Sequence, residues 1–174
     1  GSCFPKDTLA LVRTATDAGT PVRLVETTVA VNDARKKAMA TKVEAALDGD
    51  LKGKTVALLG LTFKPNTDDM RDSPALDIVP ALIAAGARVQ AFDPEGMKEA
   101  AKLLDGIDYR DGPYEAIDGA DAVVILTEWD QFRALDLERV KSMLKQPVMI
   151  DLRNVYKPDE VRAYGFRYSS IGRA

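Results

Sequence analysis

Histidine is absent from this chain, and cysteine and tryptophan occur once each. With no histidine and a single thiol, neither a zinc cluster nor a Ser-His-Asp triad can be assembled, so no metal site is expected and acid–base work falls to Lys, Asp, Glu, Tyr or water. A lone cysteine also excludes an intramolecular disulfide, which predicts a reducing, cytoplasmic setting. Long apolar runs are missing too: VALLGL and AVVILT are far too short to span a bilayer, and no charged leader with an apolar centre opens the chain. Net charge is slight, −3 over 174 residues, and offers no broad footprint for nucleic acid or an anionic membrane. These absences leave a soluble protein with one sizeable core and room for an appended element.

Glycine and proline are missing from 22–47, where alanine and charged residues dominate (VETTVAVNDARKKAMATKVEAAL). The spacing predicts one continuous helix of about 39 Å, longer than a compact domain needs. Thr27, Thr28 and Asn32 interrupt its apolar stripe, which suits a connector that pairs with a copy of itself. Before it, Pro5 and the run Asp7, Leu9, Val12, Ala15 with Gly19 beyond predict a short amphipathic helix whose N-terminus follows Cys3.

After DGDLKGK the pattern becomes strand, loop, helix, repeated. Strands are predicted at 55–60, 88–92, 107–110, 121–126, 147–151 and 166–169, with helices at 74–85, 95–104, 113–118, 130–144 and 158–163. This alternation implies an α/β fold: a doubly wound, Rossmann-like parallel sheet of about six strands, preceded by the long connecting or dimerisation helix. Residues 1–50 then form a helical region with the cysteine, and 51–174 the sheet domain.

A ligand of such a sheet belongs at the carboxyl ends of the strands. Three segments there are rich in chemistry: GLTFKPNTDDMRDSP with Lys64 and Arg71, TEWDQF, and DLRNVYKP with Arg153. Ser73-Pro74 is expected to cap the next helix, and Trp129 to cover the sheet end by packing. Cations on separate loops over one sheet edge suit a phosphate-bearing ligand, although each taken alone reads better as a solvated surface charge. Gly60 is not part of a G-x-G-x-x-G run, so a dinucleotide pyrophosphate is not expected on this domain's first helix. Cys3 has two readings: a small packed residue at a chain end where Gly1-Ser2 is a cloning remnant, or a nucleophile activated by a helix N-terminus and Lys6.

GSCFPKD, LTFKPNTDDMRDSP, YEAIDGADAVVILTEWDQF, DLRNVY and YSSIGR occur in that order, and together they resemble the nucleotide-sugar dehydrogenases along the whole chain. The aromatic in SCFPKD and the TEW segment tilt the likeness toward the UDP-glucose-oxidising members over the GDP-mannose and UDP-N-acetylmannosamine relatives. The resemblance implies oxidation of UDP-glucose to UDP-glucuronate by two NAD+, through a thiohemiacetal and a thioester on Cys3. It implies that Asp7 activates the hydrolytic water, that Lys6 and Arg71 meet the NAD cofactor, and that Phe63, Lys64 and Arg153 hold the nucleotide sugar. It also implies a homodimer, with the family's amino-terminal NAD-binding domain and its proton-transfer lysine and asparagine outside these 174 residues, which alone would not turn over. The alternative is a non-catalytic module that binds a nucleotide sugar and dimerises. One departure is Leu152, where many relatives carry Gly or Ala; it bears on how closely the Arg153 loop approaches a ligand.

Overall fold

A computed structural model describes residues 3–173. The Gly1-Ser2 expectation lies outside the described residues. The chain opens with helix α1 (Cys3–Asp17) and the long helix α2 (Arg23–Ala46), continuous as the missing glycine and proline predict. Gly19 turns the chain between them at φ 69°, a left-handed conformation that costs other residues more. The order then runs β1 (Thr55–Leu59), α3 (Ala75–Ala84), β2 (Arg88–Phe92), α4 (Met97–Ala100), β3 (Ile107–Tyr109) and α5 (Pro113–Ile117). It closes with β4 (Ala122–Ile125), α6 (Asp130–Arg133), α7 (Leu137–Met143), β5 (Val148–Asp151), α8 (Pro158–Ala163) and β6 (Arg167–Ser170).

The six strands form one sheet in the order β3-β2-β1-β4-β5-β6, and every neighbouring pair is parallel. Parallel strands need crossovers that put helices on both faces, so central strands read as continuous apolar runs. TVALL, AVVI and VMID are buried along their whole length. Alternate side chains of β1 serve opposite faces: Val56 and Leu58 pack with Val43 and Leu47 at the end of α2 and with Ile78, Val79 and Leu82 of α3. Ala57 and Leu59 pack on the other face, with Ile117, Phe132, Val140 and Val161. The far end of α2 is therefore part of the core. Its first half, with Leu24 and Val31, is exposed.

Three expectations are corrected. The helix expected over 130–144 is two helices, because Asp136 caps α7 by accepting from Arg139 N at 3.1 Å while its own N–H donates to the Tyr114 hydroxyl at 3.0 Å. That backbone N–H is taken by tertiary structure, which local sequence cannot show. The helix expected over 95–104 is reduced to Met97–Ala100 followed by turns. Cys3 does not precede the helix N-terminus but begins α1; Pro5 is tolerated in that first turn, where N–H groups have no helical acceptor to lose.

Candidate functional site

The order in which successive strands are added reverses between β1 and β4, and the loops after β1, β4 and β5 meet above that point. Gly60 makes the meeting possible. Its φ is 92°, and a Cβ there would lie 2.5 Å from Thr127 Cβ and 2.6 Å from Thr127 N, so the end of β1 touches the end of β4 backbone to backbone. The Thr127 hydroxyl donates to Thr62 O at 2.7 Å across the same seam. The loop that follows is closed on itself: Ser73 Oγ donates to Leu61 O at 2.6 Å and accepts from Ala75 N at 3.2 Å. Pro74 occupies the N-cap position of α3 and the Ser73 hydroxyl accepts from the helix's first N–H, so the Ser73-Pro74 pair caps α3 as expected while Ser73 also pins the loop to its own start.

Between these loops and the first two helices lies a cavity of about 560 Å³, lined among others by Phe4 and Pro5 of α1, Asn32 and Lys36 of α2, Phe63 and Arg153. Two of the predicted ligand residues, Phe63 and Arg153, thus converge with the first turn of α1. Cys3, next to Phe4, is an exposed free thiol. The hydrogen bond to Asp69 raises the Arg71 pKa, and Cys3 adds a smaller contribution in the same direction. Arg71 donates from Nε and Nη2 to the two Asp69 oxygens, each at 2.9 Å, and this pairing holds the Asp69 carboxyl below the usual carboxylate range.

The other predicted residues lie outside the cavity lining. Lys64 is exposed, with its carbonyl 3.1 Å from the Thr62 hydroxyl. Lys6 and Asp7 are exposed on α1 with Lys6 Nζ 3.8 Å from Asp7 Oδ1, a surface pair of little energetic weight. Three- and four-residue spacing from Cys3 nonetheless places both on the thiol's side of the helix.

The acidic side chains that hold Arg71 and Arg153, Asp69 and Glu128, are not singled out by the sequence. Glu128 accepts from Arg153 Nε and, at 2.7 Å, from Arg153 Nη2. Burial pushes the Glu128 carboxyl up, but the bonds from Arg153 outweigh it and the carboxyl ends below its ordinary value of 4.5. A carboxyl depressed in the folded state stabilises above the unfolded pKa, and that contribution is lost as pH falls through the folded one. Glu128→Gln should therefore flatten the fall of Tm between about pH 5 and 3 while leaving the neutral limb's slope as it was, which thermal melts across that range would measure. An identical acid limb in the variant would remove the pair from the stability of the site.

Asp151, fully buried at the end of β5, places the Arg153 loop. Its Oδ1 accepts from Arg153 N at 3.0 Å, and its Oδ2 accepts from Tyr156 N at 2.9 Å and the Tyr168 hydroxyl at 2.8 Å. Burial first, then the bond to Asp151, pushes the Tyr168 phenol up, and burial drives Tyr156 up to about 12, so both stay neutral donors. Another fully buried carboxylate, Asp93 at the end of β2, accepts from Trp129 Nε1 at 3.2 Å; Trp129 packs over the sheet end as expected. Acids at strand ends in FDP and IDLR read as ordinary turn residues, and only their burial distinguishes them. Among the described residues, no three Cys, Asp or Glu side chains are grouped to hold a metal, and no helix is long and apolar enough to cross a membrane.

A six-stranded parallel sheet in this order, with a cavity at its carboxyl edge and an exposed thiol next in sequence to one of the lining residues, defines a Rossmann-like α/β protein. Residues 57–158 match the UDP-binding domain of the UDP-glucose/GDP-mannose dehydrogenase family, residues 1–34 match that family's central domain, and the chain belongs to this family. It is 66% identical over 173 residues to the UDP-glucose 6-dehydrogenase of Rhizobium meliloti, covering 99% of this chain and 40% of that protein. To the UDP-glucose 6-dehydrogenase of Bacillus subtilis it is 44% identical, covering 99% and 38%. The UDP-glucose dehydrogenase structure from Pyrobaculum islandicum superposes with a TM-score of 0.85 at 35% identity, over 100% of this chain and 38% of that one. The chain thus spans about two fifths of the length of the curated relatives it matches. Membership of a dehydrogenase family implies a nicotinamide cofactor.

Proposed function

We propose that this chain forms the nucleotide-sugar site and carries the nucleophile of an enzyme that oxidises UDP-glucose to UDP-glucuronate with NAD+, in the cytoplasm. The observation that carries the reading is the convergence of the first turn of α1 with Phe63 and Arg153 on one cavity. Arg153 and Lys64 suit the diphosphate, where charge-assisted bonds are strong, and Phe63 supplies an apolar wall. The exposed apolar residues Phe4, Leu9, Leu11, Leu24 and Val31 on α1 and α2 support pairing with a second copy.

The end of β1 does not fit a dinucleotide. The close backbone approach that Gly60 permits is taken by Thr127, and no further glycine stands in the next turn. Arg71 and Lys6, beside Cys3, are the groups of this chain placed to meet the nicotinamide end. When bound, NAD+ accepts the hydride removed from C6 at each of the two oxidations. The Cys3 thiol adds across the C6 aldehyde: the sulfur bonds to C6, the carbonyl π bond opens, and the thiol proton passes to the oxygen to give a hemithioacetal hydroxyl. Loss of that hydroxyl's proton and of the C6 hydride leaves a thioester. Water then attacks C6 and Asp7 takes one of its protons, the C–S bond breaks, and the second proton passes to the Cys3 sulfur as the carboxylate leaves, which restores the thiol. Covalent attachment holds the aldehyde in place for the second oxidation.

Calorimetric titration with UDP tests the site. Lys64→Ala and Arg153→Ala should each weaken binding by about 1–3 kcal/mol. Unchanged affinity in both would remove the nucleotide from this cavity.

A further inference from the structure

We infer that Asp93 is a positioning residue for the nucleotide-sugar site, a brace that sets the Phe63–Lys64 loop and the Glu128–Arg153 pair at a fixed separation. This rests on the site reading above. Asp93 is fully buried at the end of β2, yet it faces no cation; N–H groups from three loops surround it instead. Its Oδ2 accepts from Leu61 N at 2.7 Å, Thr62 N at 3.0 Å and Trp129 Nε1 at 3.2 Å. Its Oδ1 accepts from Gly96 N at 2.7 Å and Glu95 N at 3.0 Å.

The donors stand beside the ligand residues in sequence. Thr62 precedes Phe63 and Lys64, and its hydroxyl lies 3.1 Å from both Asp93 Oδ2 and Lys64 O. Trp129 follows Glu128, whose carboxylate grips Arg153. One carboxylate oxygen therefore joins the two loops on either side of the cavity mouth, and the other fastens both to the end of β2. Gly96 packs into the same joint, where a Cβ would lie 2.3 Å from Thr62 Cγ2. A carboxylate offers about four acceptor positions, and here they are filled by backbone and indole donors that a neutral amide could satisfy only in part. Asp93 is not among the residues that line the cavity with Phe4 and Arg153, so its influence on a ligand passes through those loops.

Asp93→Asn keeps the shape and turns one acceptor oxygen into a donor facing N–H groups. In UDP titrations at a temperature where melts show the variant folded, we expect about tenfold weaker binding, together with a shift in emission of Trp129, the single tryptophan. Trp129→Phe removes only the indole donor and should weaken UDP by about threefold, which keeps the proposal testable where Asp93→Asn does not fold. A purely structural role would lower Tm and leave the affinity of the folded variant untouched. If Lys64→Ala weakens UDP but folded Asp93→Asn and Trp129→Phe bind it as the parent does, the brace is overturned and the site reading stands. If Lys64→Ala and Arg153→Ala also leave UDP binding unaltered, the site reading itself is overturned and the brace goes with it.

Discussion

Cys3→Ser should abolish release of UDP-glucuronate, cutting turnover by roughly three orders of magnitude or more, about 4 kcal/mol in the barrier. UDP-glucose binding should stay close to normal. A serine hydroxyl at the start of α1 is a far weaker nucleophile than a thiolate, and an ester is a poorer substrate for hydrolysis than a thioester. Asp7→Asn should slow the hydrolytic step more than the first oxidation, because the group four residues along α1 is assigned to the attacking water. Mass spectrometry of a quenched Asp7→Asn reaction, in the protein that carries this chain, should then find a sugar adduct on the Cys3 peptide. Undiminished turnover in Cys3→Ser would show that the thiol has no chemical part in the reaction.

Gly60→Ala should be the most destabilising single methyl in the sheet domain, at about 2–5 kcal/mol. Two costs combine: an L side chain at φ 92°, and a Cβ 2.6 Å from the Thr127 backbone nitrogen, which cannot swing aside as a flexible side chain would. The strained contact lies in the central β1–β4 pair, so the whole sheet must yield to relieve it. Differential scanning calorimetry should find Tm lowered by roughly 5–15 °C for a domain of this size. A melting point within about 2 °C of the parent would mean that the seam between the two strand ends is loose. Gly19, with nothing within 4 Å of its virtual Cβ, should tolerate alanine at only the cost of its positive φ.

Much of the architecture is legible because the physics behind it is local or periodic. TVALL, AVVI and VMID announce strands buried on both faces, and a 24-residue helix follows from a stretch without glycine or proline. The break between Arg133 and Leu137 is not legible, since the Tyr114 hydroxyl that occupies Asp136 N comes from another element. The site divides along the same line. Cations on loops are visible as candidate anion ligands, and Phe63 and Arg153 do meet at the cavity. The acids that aim them are invisible: Glu128 reads as a solvated charge, and Asp93 and Asp151 read as turn formers. Their roles arise from partners 25, 31 and 17 residues away, in Arg153, Thr62 and Tyr168.

The position of Asp93 at the tip of the second strand has a consequence for which nucleotides the sheet can accept. In dinucleotide-binding sheets of this order, an acidic side chain about 20 residues beyond the glycine turn reaches outward and receives the hydroxyls of the adenosine ribose. Here the corresponding carboxylate is wholly enclosed, and five N–H groups have already claimed it. No lone pair is left to greet a sugar. The domain keeps the outline of a dinucleotide fold while internal bonding has closed its ribose seat. A ligand arriving at this edge is directed past the first two strands, toward the side where α1 and Arg153 wait.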